Sequence, residues 1–459
     1  MVMICSVAKK LRFNLFNRIS VHDLQLTFDL VFLHTIYQSK YKQSFLLKYH
    51  FSKIIVGFFL ILSATANSQM LSDSNSVHII SHEFPKETAS QKDIVDVARK
   101  LFQKKPSLKS DIIRPGDKPV LTILPAVGYT LQTRFAVILA GNDAFYTSNK
   151  PGAQLSVINA SPTYTQNSQF TLPIQLNIWL KGDKYNLLGD WRFMQYPQST
   201  YGLGSNTSLS QQDAMDYDYI RIYQYILRKF APNFSAGIGY TLDQHWNIEE
   251  DGPVNNPPSE YEVYGTAKRT TSSGPALMLL YDSRNNPINS SKGLSASLVF
   301  RHNVTWMGSS SNWQSVLLDI RKYFQFPGRS KNVLAFWSYN WVIVKGKPPY
   351  LDLPAVGWDN FNNTGRGYIQ GRFRGNLMLY LESEYRFGIT NNGLIGGVAF
   401  ANAETFSNGI NHQPQSVEPG FGLGLRIKLN KKSNTNVCID YGFGTEGMRG
   451  FFVNVGEVF

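Results

Sequence analysis

The residue types that could do chemistry gather in one stretch of this chain. Arg366-Gly367-Tyr368 is followed by Gly371-Arg372-Phe373-Arg374 and then by Leu379 to Phe387, LYLESEYRF. In that last run Leu377, Leu379, Leu381 and Tyr385 share one face of a strand, and Glu382, Glu384 and Arg386 share the other. An arginine can bond a carboxylate through two parallel N–H···O contacts, so a loop arginine facing strand carboxylates is suited to hold a loop in one pose. Glu384 or Glu382 is the expected partner of Arg366. Other constellations are thinner. His78 and His82 sit four apart but lack a third ligand, and read as solvated histidines. Cys5 and Cys438 are too few for a disulfide framework or a zinc knuckle. There is no G-x-S-x-G, H-E-x-x-H or Walker loop. Gly237-x-Gly239 and Gly422-x-Gly424 lie in strand patterns with no helix after them, and His245, His302 and His412 have no nucleophile beside them in sequence. No enzyme activity, cofactor or metal is expected.

The elements that must position these residues are strands. The 459 residues are 43% hydrophobic and 14% aromatic but only 17% charged, against about 25% charged in ordinary soluble domains. With a mean hydropathy of −0.21 the chain is too polar for a polytopic helical membrane protein. It is too aromatic for disorder. The formal charge of +13 is misleading, because the first 68 residues supply +6 of it and the rest is spread thinly. Nucleic acid is therefore not an expected partner.

Lys48 and Lys53 precede an apolar core, Ile54 to Leu62, and then the small residues Ser63, Ala64 and Ala66. That order is a secretory signal, with cleavage after Ala66 or Ser68. A signal normally starts a chain, so translation is expected to begin near Leu46 or Leu47. Residues 1–68 are read as extension and signal, and 69–118 as a periplasmic segment. Within the segment, Ile94, Val97, Ala98, Leu101 and Phe102 mark one short amphipathic helix over 92–104, ended by Pro106.

Residues 119–459 read strand, turn, strand. Phe170 to Leu180 alternates perfectly, with Phe170, Leu172, Ile174, Leu176, Ile178 and Leu180 on one face. A soluble β-sandwich would alternate in the same way. Export and aromatic content favour an all-β transmembrane antiparallel β-barrel of about 16 strands, apolar outside and polar inside. Short turns are expected at 182–184, 229–233, 327–331, 389–392 and 431–434. Long surface loops are expected at 197–212, 248–273, 346–375 and 405–418. Phe451, Val453, Val455 and Phe459 lie on one face of the closing strand. That ending resembles the C-terminal assembly signal of bacterial outer-membrane barrels.

Four segments, in order, resemble one family. Tyr281-Asp282-Ser283-Arg284-Asn285-Asn286 with Lys292-Gly293 resembles the D-[ST]-R-[DN]-N…G hairpin of the bacterial surface-antigen superfamily, the BamA/TamA-type barrels. In that hairpin Asp282, Arg284, Asn286 and Gly293 are the motif residues. PPYLDLP at 348–354, Arg366-Gly367-Tyr368 and Gly371 to Arg374 resemble the sixth surface loop. LYLESEYRF resembles the next strand with its E-x-R. Asp440 to Gly444, Gly450 to Phe452 and Glu457 to Phe459 are similar to the closing strands of short Bacteroidetes-type members. The resemblance implies a loop folded into the lumen with Arg366 pinned to the wall, a location in the outer membrane, and assembly by that membrane's machinery. It also implies a role in protein insertion or translocation. The alternative is a passive channel or structural barrel that has lost that activity. Two departures stand out. The 50 residues of 69–118 are too short for the family's POTRA domains, and Phe400-Ala401-Asn402 replaces F-x-D, removing an acid from beside the loop arginine.

Overall fold

The computed structural model describes residues 91–94, 96–97 and 118–459, apart from 131, 151–152, 181, 252–258, 329, 361, 410–411 and 432–433. The signal sequence, His78, His82 and the helix beyond residue 97 lie outside the described residues. Among the described residues, eighteen strand segments form one antiparallel sheet. The first nine are β1 (Val120–Thr130), β2 (Arg134–Phe145), β3 (Ser156–Ala160), β4 (Thr163–Thr165), β5 (Phe170–Leu180), β6 (Tyr185–Gln195), β7 (Gln198–Thr200), β8 (Asp213–Ala231) and β9 (Phe234–Asp251). After a short helix, α1 (Glu260–Tyr264), come β10 (Arg269–Asp282), β11 (Gly293–Asn303), β12 (Trp313–Gln325) and β13 (Val333–Gly346). The last five are β14 (Leu377–Gly388), β15 (Ile395–Phe406), β16 (Glu418–Asn430), β17 (Thr435–Phe443) and β18 (Arg449–Val455).

The eighteen segments amount to sixteen barrel strands. β3 and β4 pair with β2 and β5 in one unbroken register, as do β6 and β7 with β8. Each break holds a proline, Pro162 or Pro197, which has no N–H to give the ladder. The expected strand number stands, and only its segmentation is hidden in the sequence.

Alternation sorts the two faces. On β16 Phe421, Leu423 and Leu425 are exposed, while Arg426 is buried. On β14 Leu381 is exposed, and Glu382 and Glu384 have no exposure at all. Gln175 of β5 turns inward to donate to Asn360 O at 2.7 Å, so the stripe from Phe170 to Leu180 lies on the opposite face, where Ile174, Leu176 and Ile178 are buried and Phe170, Leu172 and Leu180 half-buried. Apolar outside and charged inside is the inverse of a soluble sandwich. At the seam, Tyr129 of β1 and Phe451 of β18 meet edge to face at 6.5 Å. Among the described residues no ladder of paired residues between β1 and β18 accompanies that contact, whereas β17 and β18 pair over seven positions.

The motif hairpin after β10 is explained by its own bonds. Asp282 Oδ2 takes Arg284 Nη2 at 2.6 Å, and Asn286 Oδ1 caps the backbone N–H of Ile288 and Asn289 at 2.8 and 2.9 Å. Gly293 has φ +112, and a Cβ there would meet Ser283 O at 2.4 Å. The hairpin tip touches the turn after β16, with Asn289 Nδ2 3.3 Å from Asn434 O. On the same side Asp93 caps a helix start (Asp96 N to Oδ1, 2.8 Å), and Lys431 Nζ binds Asp96 Oδ2 at 2.8 Å. Asp93 and Asp96 therefore meet the barrel at the turn after β16.

The closing strand requires a correction. Phe451 and Val455 are exposed on the outer face, and Val453, half-buried, lies on that face between them. Phe459 does not share that face. β18 ends at Val455, and Gly456 at φ +96 redirects the chain. Glu457 is then drawn inward by Arg426 Nε at 2.8 Å, and Phe459 packs against Trp337 with ring centroids 5.2 Å apart.

The lipid-facing assignment is testable. Leu423→Arg puts a charge on the outer face at the middle of β16 and is expected to cost about 2–4 kcal/mol. Equilibrium urea titration of the barrel folded into vesicles reads this, and an unchanged midpoint would contradict the assignment.

Candidate functional site: the arginine-pinned loop in the lumen

The loop between β13 and β14 enters the lumen and touches both walls. On one wall, four consecutive strands supply the receiver for Arg366. Its Nη1 donates to Asp440 Oδ2 at 2.5 Å, and its Nη2 donates to Glu382 Oε1 and Glu384 Oε1. All four side chains have no solvent exposure. Both expected partners are thus engaged together, and a third carboxylate comes from β17. Phe400 of β15 lies under the guanidinium, 3.8 Å from ring centroid to Cζ, a favourable cation–π placement. Asn402, which stands in place of the family's acid, donates Nδ2 to the Arg366 carbonyl at 2.9 Å. The asparagine pins the backbone while Asp440 takes the charge.

Sequence alone gives no sign of Asp440's role, because only the register β16–β17 brings it opposite Gly424. A Cβ on Gly424 would fall 1.8 Å from Asp440 Oδ1. The glycine is the space the carboxylate occupies. Arg426 binds Asp440 Oδ1 at 2.5 Å and Glu457 at 2.8 Å, and Arg386 binds Glu384 Oε2 at 2.6 Å. Three guanidiniums therefore serve four carboxylates. Arg386 Nη2 also donates to Phe459 O at 2.9 Å, and Asn363 Nδ2 to Val458 O at 2.7 Å. The chain terminus belongs to the same network as the loop.

The neighbours of Arg366 have distinct physical jobs. Gly367 has φ +118, and a Cβ there would lie 2.6 Å from Phe443 O, so glycine alone lets the loop lie flat on β17. Tyr368 is buried, and its hydroxyl donates to Pro419 O at 2.6 Å. Arg372 reaches Thr207 O at 2.6 Å and Glu446 at 2.7 Å, tying three surface loops together. Its guanidinium holds the Glu446 carboxyl below the ordinary carboxylate range. Arg374 donates to the carbonyls of Tyr350 and Leu351 at 3.1 and 2.9 Å and closes the loop on its own start.

The opposite wall grips the loop tip. Arg192 of β6 donates to Asn362 Oδ1 at 2.8 Å and to the carbonyls of Asp359 and Asn360 at 3.0 and 2.8 Å. Asp190 orients it at 2.8 Å. Within the tip, Asp359 Oδ1 accepts from Asn363 N and Thr364 N, both at 2.8 Å. His245 stacks on Tyr219 at 4.3 Å and lies 3.5 Å from Asp352 Oδ1. Ser272 is also near, and its hydroxyl donates to Asp352 at 2.5 Å. This cluster holds the loop's entry, and the hairpin residues Asp282, Arg284, Asn286 and Gly293 lie apart from it.

Residues 149–432 match the Omp85 superfamily domain. The chain belongs to the Omp85 superfamily. This is the family of outer-membrane barrels to which the surface-antigen motifs pointed. Comparison of the sequence with curated proteins returns no match. Among solved structures, the chain is similar to BamA from Haemophilus ducreyi lacking POTRA domains 1–3, with 13% identity and a TM-score of 0.49 over 85% of this chain and 81% of that one. It is also similar to CdiB from Acinetobacter baumannii (14%, 0.48, 74% of this chain, 60% of that one) and to CdiB from Escherichia coli (10%, 0.45, 74% and 66%).

Removing the loop arginine strands its three carboxylates. Loss of one member of a buried pair costs about 3–5 kcal/mol, so Arg366→Ala is expected to expose residues 346–375 to protease while the barrel keeps its heat-modifiable mobility. Adding Glu382→Gln removes one stranded charge and should restore part of the protection. Equal cleavage of wild type and Arg366→Ala would show that the ion network does not hold the loop.

Proposed function

We propose that this outer-membrane barrel acts in protein insertion or translocation, with the lumenal loop as its internal brace, and is not a passive channel. The observation that carries the reading is the occupied lumen. The loop spans it from Arg192 on β6 to Glu382, Glu384 and Asp440 on β14 and β17, and Arg366, Arg372 and Arg374 are each at most 2% exposed. A pore that served solutes would not be filled by its most strongly bonded segment. The seam supports the same reading. β1 and β18 meet through Tyr129 and Phe451, and strands held by side-chain contact part more readily than strands held by a hydrogen-bonded ladder. The names BamA and CdiB belong to the similar proteins; for this chain, an insertion or translocation role rests on the loop and the seam. Asp93 and Asp96 bond Lys431 on the turn after β16.

A staple across the seam tests this. A Cβ built on Gly128 lies 3.9 Å from Val453 Cβ, within the roughly 3.5–4.5 Å that a disulfide needs. Gly128→Cys with Val453→Cys, in a Cys438→Ser background, should form a disulfide on oxidation. In vesicles the reduced protein is expected to speed the folding of an added outer-membrane barrel, read by heat-modifiable mobility, and the oxidised protein is not. Equal folding rates with reduced, oxidised and empty vesicles would contradict the proposal.

A further inference from the structure

We propose that the periplasmic rim of the barrel carries a docking site for the headgroup of an anionic phospholipid, built by Arg228, Lys184 and Lys150. Arg228 lies near the end of β8 on the outer face. Ile226 and Phe230, two residues to either side of it, are 46% and 61% exposed, while the adjacent Leu227 is fully buried. Its register partner on β6 is Tyr185. The guanidinium folds over the Phe230 ring, 5.3 Å from Cζ to centroid. Among the described residues no carboxylate lies within ion-pair distance of it.

The neighbouring turns bring further cations to the same end of the barrel. In the turn 181–184, the carbonyl of Lys184 accepts from Lys229 N at 2.9 Å, which ties this turn to the end of β8. The turn 146–155 packs on it in the same way. Gln154 N donates to Asp183 Oδ2 at 2.9 Å, and Lys150 Nζ lies 4.0 Å from where a Cβ on Gly182 would stand. Lys150, Lys184 and Arg228 are all exposed. Asp183 is the one acid in the sequence of these turns, and the Gln154 N–H engages it. The opposite ends of β8 and β9 carry Asp213, Asp216, Glu249 and Glu250. The two strands are thus basic at the periplasmic end and acidic at the other.

Position and charge together select the occupant. An arginine that ends an apolar outer stripe, beside exposed aromatic rings, stands at the membrane–water boundary. A cation at an anionic lipid surface gains about fivefold in affinity. The guanidinium can bond a phosphate through two parallel N–H···O contacts, and the two ammonium groups add point charges. An acidic polypeptide would be drawn by the same charge, but it has no use for an arginine set between Ile226 and Phe230 on the face that lipid covers. β6 also carries Arg192, so a bound headgroup would steady the wall that grips the loop tip.

Native mass spectrometry of the full chain in uncharged detergent tests the site. The probes are phosphatidylglycerol and phosphatidylcholine with the same acyl chains, added at equal concentration. Wild type is expected to hold phosphatidylglycerol with a several-fold preference. The combined variant Lys150→Gln, Lys184→Gln, Arg228→Gln is expected to lose that preference, and Arg228→Lys, which keeps the charge without the fork, to lose part of it. The charge-matched variant Lys268→Gln, Arg269→Gln, Lys345→Gln, on the opposite rim, is expected to keep it. Heat-modifiable mobility confirms that each variant is folded. Equal adducts of the two lipids on wild type, or an equal loss of preference in the two combined variants, would overturn the proposal. Polyglutamate retained by wild type but not by the Lys150, Lys184 and Arg228 variant, with no preference between the lipids, would also overturn it and assign the surface to an acidic protein.

Discussion

A guanidinium with no access to water, held by carboxylates from two strands, is the interaction on which this structure turns. Arg366 reaches Glu382, Glu384 and Asp440 at once, and none of the four side chains is exposed. In a low-dielectric lumen each of these charges is costly alone, so the network is stable only when every member is in place. That makes the loop's position close to all-or-none. A shift of a few ångströms would leave three acids facing one another with Arg386 and Arg426 as their only counter-charges.

Much of the surrounding sequence follows from this demand. Gly424 makes room for Asp440, and Gly367 lets the loop backbone lie against Phe443. The register of β14 to β17 must be kept to the residue, since a slip of one would turn Glu382, Glu384 and Asp440 toward lipid. The grip of Arg192 on the loop tip supplies the second point of support across the lumen. With both ends held, the loop braces the barrel wall as well as filling it. The inward turn at Gly456 adds the chain terminus to the same assembly, through Glu457, Val458 and Phe459.

What can be read from sequence is what period and local motif encode. Strand alternation by itself places Glu382 and Glu384 in the lumen, and loop length with an arginine motif points to a pinned segment. The strand number is legible too, although Pro162 and Pro197 split two strands into pieces. Asp440 is not legible, because it lies 74 residues from Arg366 and only the three-strand register between them brings the two together. Arg192 is hidden for the same reason, at 167 residues from Asp359. Phe459 reads as a strand residue because alternation continues in the letters past Val455, while the backbone leaves the strand at Gly456. The charge partner that Asn402 removes is supplied from another strand, and a single sequence carries no trace of such an exchange.

The central claim is that Arg366 keeps the loop inside the lumen and the lumen closed. Single-channel conductance of the full chain in planar bilayers tests it most directly, comparing wild type with Arg366→Ala and Arg366→Lys. Wild type is expected to be nearly silent, Arg366→Ala to show frequent large openings, and Arg366→Lys to fall closer to alanine, because an ammonium lacks the planar fork that engages several carboxylates. A large steady conductance in wild type, unchanged by either substitution, would contradict the account.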